Sequence, residues 1–232
     1  MNKFITAVKE INLPVVEEML SREPKWVTWS EDSGKNALHF LCGVDVSNSI
    51  EKAENSLQML KLLLNLGMDI NSVHNIPDPN CDFPATPLWY AYTRGRNDKI
   101  YTYLLENGAN PDNCMYAIAW YDDVEAAGFF KKHGAEIDND TVGGTPFLAA
   151  FNWRRFEIAE WFLKNGANVN AADPKGNTAL FYAVKKKYKI EQVEMLLQFG
   201  ADFNQENKEG LSAIKLATAN KQRKLLSLFK QH

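Results

Sequence analysis

At 232 residues, with 45% apolar and 24% charged side chains, the chain is long and mixed enough to bury a sizeable core, which excludes an intrinsically disordered protein. The net charge of −3 conceals an asymmetry, because residues 175–232 carry +6 and the rest −9. No run approaches the ~18 apolar residues of a membrane span, and the opening MNKFITAVKEINLPVVEEML is too acidic for a signal peptide or an anchor.

Residues 1–30 open directly into helix: Phe4, Ala7 and Val8, then Val15, Val16, Met19 and Leu20, recur at helical spacing around a break near Asn12 to Pro14. The next segment starts near residue 31, passes through Asn36-Ala37-Leu38-His39 and ends at Leu63-Leu64 and Gly67. It holds 29 residues from Leu38 to Gly67, against 20 from Leu180 to Gly200, so about nine extra residues are expected between its two helices, near GVDVSNSIEKAEN. Residues 72–84, SVHNIPDPNCDFP, form an enlarged connection that three prolines stiffen into an ordered finger. The segment from about 81 is regular. The one from about 113 is short, with 26 residues from Gly108 to Gly134, and carries Gly128 inside its second helix. Segments from 140 and 173 are the best formed, and a lysine-rich pair of helices occupies 207–232.

Two of these segments match in order. GGTPFLAAFNWRRFEIAEWFLKNGANVN and GNTALFYAVKKKYKIEQVEMLLQFGADFN share a Gly, a Thr (Thr145, Thr178), an apolar helical run, a paired apolar end, Gly-Ala and a closing Asn (Asn170, Asn204). Thr145-Pro146-Phe147-Leu148-Ala149-Ala150 and Thr86-Pro87-Leu88-Trp89-Tyr90-Ala91 resemble the opening of the ankyrin repeat. The physics of that pattern is local: a Thr caps the first helix, a Pro fits its first position, and a Gly ends the second helix in a left-handed conformation. The resemblance implies an all-α solenoid of six to seven stacked helix-turn-helix units joined by hairpin-like loops. It implies a single domain over 1–232, with caps at 1–30 and 207–232, repeats from about 31, 81, 113, 140 and 173, and the fourth repeat shortened.

Catalytic and metal chemistry find little support. His74, Asp78 and Cys81 lie close on the finger but could not close a tetrahedral zinc site, and no CxxC or HxxxH accompanies them. Cys42, Cys81 and Cys114, odd in number and widely spaced, suit a reducing cytoplasm better than a disulfide framework. His39 has no nucleophile partner at a recognisable spacing and reads as structural. Asp122, Asp123 and Glu125 read as the start of a helix, where carboxylates favour the dipole. No cofactor motif is present.

The resemblance implies a non-catalytic protein-binding module, monomeric and cytoplasmic, acting as a scaffold or an inhibitor. Small chains of this kind include bacterial effectors and toxin-neutralising proteins. It also implies where the partner sits, on a concave face made of hairpin tips and first-helix ends. Carried over residue by residue, the tips are Asp82, Phe83 and Ala85, then Thr141, Val142 and Gly144, then Pro174, Lys175 and Asn177. The helix positions are Thr93 and Arg94, Asn152 and Trp153, Lys185 and Lys186, then Ala219 and Asn220, with Trp120 and Tyr121 at the same place in the short repeat. Arg94, Trp120, Tyr121 and Trp153 are of the types that dominate binding hot spots. Beside this stands a second reading, an anionic ligand held by the basic C-terminal half; nucleic acid is disfavoured because no recognition motif accompanies the lysines.

Overall fold

In the computed structural model, residues 2–77, 82–140 and 143–232 are described. They form two compact units, Met1–Cys114 with His133–Ala135, and Met115–Lys132 with Glu136–His232. Asp78, Cys81, Thr141 and Val142, named above, lie outside the described residues.

The first unit is built from helix pairs. Helix α1 (Lys3–Lys9) pairs with α2 (Leu13–Arg22), and a 3-10 turn follows at Pro24–Thr28. Next come α3 (Ala37–Cys42) with α4 (Ile50–Asn65), then α5 (Pro87–Tyr90), a wide π turn (Ala91–Gly95) and α6 (Asp98–Glu106). The first helices pack in series, α1 on α3 and α3 on α5, and the second helices likewise, α2 on α4 and α4 on α6. The described arms of the finger pair as two antiparallel strands: β1 (His74–Ile76) with β2 (Phe83–Ala85), His74 opposite Ala85 and Ile76 opposite Phe83.

The second unit repeats the plan with α7 (Cys114–Tyr121; Cys114 itself closes the first unit) and α8 (Val124–Lys132), then α9 (Pro146–Asn152) and α10 (Phe156–Lys164). After them come α11 (Ala179–Lys185) with α12 (Ile190–Gln198), and α13 (Ala213–Ala219) with α14 (Arg223–Phe229). Again α9 packs on α11 and α11 on α13, while α8 packs on α10.

The local signals act as the sequence implies. Thr86, Thr145, Thr178 and Ser212 each accept a backbone N–H three residues on, at 3.2–3.3 Å, and Pro87 and Pro146 occupy first-turn positions. At the far end of a pair, Gly166 adopts φ 96° and the Ala167 N–H closes on the Phe162 carbonyl at 3.0 Å, the left-handed stop that only Gly makes without strain.

Two local expectations are revised. Most of the extra residues of the second repeat lie in helix: α4 runs 16 residues against 9 for α12, so the insertion chiefly lengthens a helix. IEKAENS has the helix formers to extend it, with Ser49 as cap. The third repeat is also less regular than expected, since its first helix ends in the π turn. There Gly95 backs onto the neighbouring repeat so closely that a Cβ would lie 2.1 Å from the Cys42 carbonyl oxygen.

Gly95→Ala should therefore destabilise the protein by about 1–3 kcal/mol through overpacking. Gly128 is exposed in α8 with nothing within 4 Å of an added Cβ, so Gly128→Ala should stabilise by about 0.5–1 kcal/mol. Urea unfolding of both variants checks this, and shifts of the same sign would contradict it.

Candidate partner-binding surface

In the first unit the predicted residues converge on an aromatic ladder. Phe83, half-buried on β2, lies 5.3 Å from the ring of Trp89, which meets Tyr90 edge-on at 5.2 Å. Exposed Arg94 follows Tyr90 by one helical turn, and its guanidinium lies over Tyr90 at 5.4 Å and over Trp89 at 5.8 Å. Lys35 comes to Tyr90 as well, at 5.2 Å, and to Phe40 at 4.5 Å. Burial, and the nearby Arg94, push the Lys35 ammonium below its ordinary pKa, while Glu31 pulls it the other way. Asp82 is exposed at the end of the described hairpin arm, and Ala85 is fully buried.

Two histidines that the sequence did not connect with this surface hold the ladder in place. His74 Nδ1 lies 2.8 Å from the Tyr90 hydroxyl, tying the finger to α5, and burial lowers its pKa. His39 is fully buried; its Nε2 donates to the Ser72 carbonyl at 3.1 Å and its Nδ1 accepts the Asn36 N–H at 3.2 Å. The structural reading of His39 thus stands on two backbone bonds. One available signal for the ladder is the aromatic-then-cation spacing of four residues in a first helix, Tyr90–Arg94, which recurs as Tyr182–Lys186.

The second unit has its own cluster. Trp120, at the end of α7, is 50% exposed and Tyr121 52%. Trp153 is half-buried: its ring meets Trp120 at 4.9 Å and Tyr116 at 5.5 Å, both edge-to-face. The Arg155 guanidinium lies 6.0 Å from the Trp120 ring, and its Nε is buried without a hydrogen-bond partner. Lys185 and Lys186 are exposed over Phe181 and Tyr182 at 5.7 and 4.8 Å, and Lys186 reaches Asn152 Oδ1 at 3.5 Å. Asn177 faces inward: it is buried, bonded to Asp173 and accepting from Asn207 at 2.8 Å, while the Tyr182 hydroxyl donates to Asp173 at 2.6 Å.

The acidic group belongs to the architecture. Asp123 Oδ1 caps α8 by accepting the Ala126 N–H at 2.9 Å. Asp122, held at φ 58°, accepts the Ile158 N–H at 3.0 Å and so caps α10, whose own cap residue Arg155 supplies no side-chain bond. Cys42 and Cys114 are buried thiols, with burial raising both pKa values far above the ordinary range. Among the described residues no three His, Cys, Asp or Glu come together to hold a metal ion, and no helix is long and apolar enough to cross a membrane.

A family model described as ankyrin repeats in three copies matches residues 114–207 and again 147–232, which together span half of the chain. The chain belongs to the ankyrin repeat family. The solved ankyrin repeat domain of human ASB11 is similar at a TM-score of 0.65, with 21% identity over 93% of this chain and 91% of that one. That of Bcl-3, a member of the IκB family, is similar at 0.68, with 18% identity over 93% of both chains. An ankyrin repeat protein of Acanthamoeba polyphaga mimivirus is 27% identical over 76% of this chain and 55% of its own. The ankyrin chain spans between 8% and 55% of the length of the first curated relatives it matches. Ankyrin repeats are in general non-catalytic modules of protein–protein interaction.

Buried His39 has its pKa lowered from 6.5 to about 4, chiefly by desolvation, with His74 and Lys35 adding to it and the Ser72 carbonyl opposing. An unfolded chain takes up this proton near 6.5 and the folded one only near 4, so stability is full above 6.5 and falls as pH drops between these values. The loss is about 3 kcal/mol. Unfolding free energy measured across this range should decline less steeply in His39→Gln; an unchanged slope would refute the assignment.

Proposed function

We propose that this ankyrin repeat chain recognises a segment of another protein and acts by occupying or tethering it, as an inhibitor or a scaffold. The observation that carries the reading is the exposed pair Trp120 and Tyr121, with Trp120 held edge-on by Trp153. Aromatic rings that are rigidly supported yet open are what binding hot spots consist of, since little side-chain entropy is lost when they are covered. The first unit offers a second contact of the same kind in Phe83, Trp89 and Arg94.

The charges favour a partner with acidic side chains. Lys35, Arg94, Lys185 and Lys186 rest on aromatic rings, and none makes an ion pair among the described residues. A carboxylate arriving at such a cation gains a charge-assisted bond without first breaking an ion pair, and at Lys186 it displaces the 3.5 Å bond to Asn152. In the second unit the complement is an apolar anchor for Trp120 and Tyr121 together with an acidic residue for Lys185 or Lys186. Binding in the cytoplasm fits the buried free thiols Cys42 and Cys114.

The test is cross-linked capture from extracts of the source cells, followed by calorimetry with the recovered partner. Trp120→Ala should weaken binding by about 2 kcal/mol, roughly thirtyfold, and Arg94→Ala by a smaller factor that shrinks with added salt. Lys164→Ala, whose lysine is paired with Glu160, serves as control. Unchanged affinity in both Trp120→Ala and Arg94→Ala, with folding intact by circular dichroism, would remove the proposal.

A further inference from the structure

Away from the aromatic cluster, the turns that join α11 to α12 and α13 to α14 border a pocket of about 760 Å3. That is within the range of small-ligand sites, about 300–1,000 Å3. Five cations line it, Lys187, Lys189, Lys221, Arg223 and Lys224, against one carboxylate, Glu191. None of the five makes an ion pair among the described residues, whereas Lys99, Lys164 and Lys215 elsewhere each have a glutamate. Like charges gathered around a concavity repel one another and raise the local concentration of anions.

The backbone sets two of these cations at matching places. Lys187 and Lys221 hold φ 52° and 54°, each two residues past the end of its first helix, where the chain reverses into the second. Left-handed lysine is uncommon, and here the same turn sets a lysine in the lining of the same pocket twice. No side chain caps the start of α12, whose residues Ile190 and Glu191 border the pocket, so the helix dipole adds to the positive charge.

The remaining lining narrows the ligand. Tyr188 cannot stack a base freely: Arg154 covers its ring at 4.7 Å, and its hydroxyl donates to the Asn152 carbonyl at 3.2 Å. Gln222 donates from Nε2 to the Val184 carbonyl at 3.3 Å, which ties its amide to the end of α11. The lining therefore calls for several negative charges and not for an aromatic ring. We propose that this pocket binds a small polyphosphorylated molecule of the inositol phosphate type, free in solution or as the headgroup of a membrane lipid. Its phosphates pair with the lysines and Arg223.

Calorimetric titration with myo-inositol hexakisphosphate should show binding that weakens about tenfold or more in the triple variant Lys187→Gln, Lys221→Gln, Arg223→Gln. It should be retained in Lys215→Gln, which removes a lysine outside the pocket. Arg223→Gln alone gives the weaker, same-direction effect should the triple variant unfold. Sedimentation with phosphatidylcholine vesicles carrying phosphatidylinositol 4,5-bisphosphate separates the sources; binding to either probe that the pocket variants lose supports the site. Failure to bind both probes, equal loss in Lys215→Gln, or equal binding to phosphatidylserine vesicles of matched charge would overturn it.

Discussion

Within each unit, first helices of neighbouring repeats lie against one another across fully buried alanines, and much of the structure follows from that contact. Ala91, Ala150, Ala183 and Ala217 have no exposed surface, and each stands five residues after the Thr or Ser that caps its helix. Helices of seven residues, such as α9, α11 and α13, are too short to persist in water alone. They exist because each has a neighbour at close range, and the missing side chain at alanine permits the range. Close stacking also brings backbone groups of adjacent repeats within reach of the closing asparagines. Asn71 bonds Gly108 and Asn110, and Asn170 bonds Gly200 and Asp202, at 2.8–3.2 Å.

The same contact shapes the candidate binding surface within each unit. A short first helix places its last turn at the edge of the stack, so residues three or four positions beyond the alanine emerge there with a packed base. Arg94, Trp153 and Lys186 all stand in that register, and each is braced by a ring: Tyr90, Trp120 and Tyr182. Rigid support of this sort lowers the entropy lost on binding. The short fourth repeat contributes by subtraction, since little hairpin precedes α7 and Trp120 and Tyr121 stay half exposed.

Strain in the turns between paired helices serves the same stacking. Arg96, Asp122, Arg154, Lys187 and Lys221 all take positive φ where a first helix turns into a second. Non-glycine residues pay a small cost there, and the fold recovers it by seating the following helix on its predecessor. At Asp122 the turn goes further and caps a helix of the next repeat. At Lys187 and Lys221 it gathers charge around a concavity.

What could be read directly from the chain was whatever depends on residues a few positions apart. Thr caps, Pro at the first turn, Gly at the helix stop and apolar spacing are local rules, so the repeats, the helix pairs and the family were legible, while Arg94, Trp120, Tyr121 and Trp153 could be named as candidates from residue type and register alone. The tertiary structure decided everything that depends on a partner about one repeat away. It turned the inserted residues into an extension of α4, buried half of Trp153 against Trp120 and Tyr116, drew Asn177 inward onto Asn207, and set His39 on the Ser72 carbonyl 33 residues distant. It also set Gly95 against a carbonyl of the preceding repeat, leaving no room for a Cβ. Such contacts leave no periodic trace, because packing across repeats is set by side-chain shape and close approach, and neither is encoded in spacing along one chain segment.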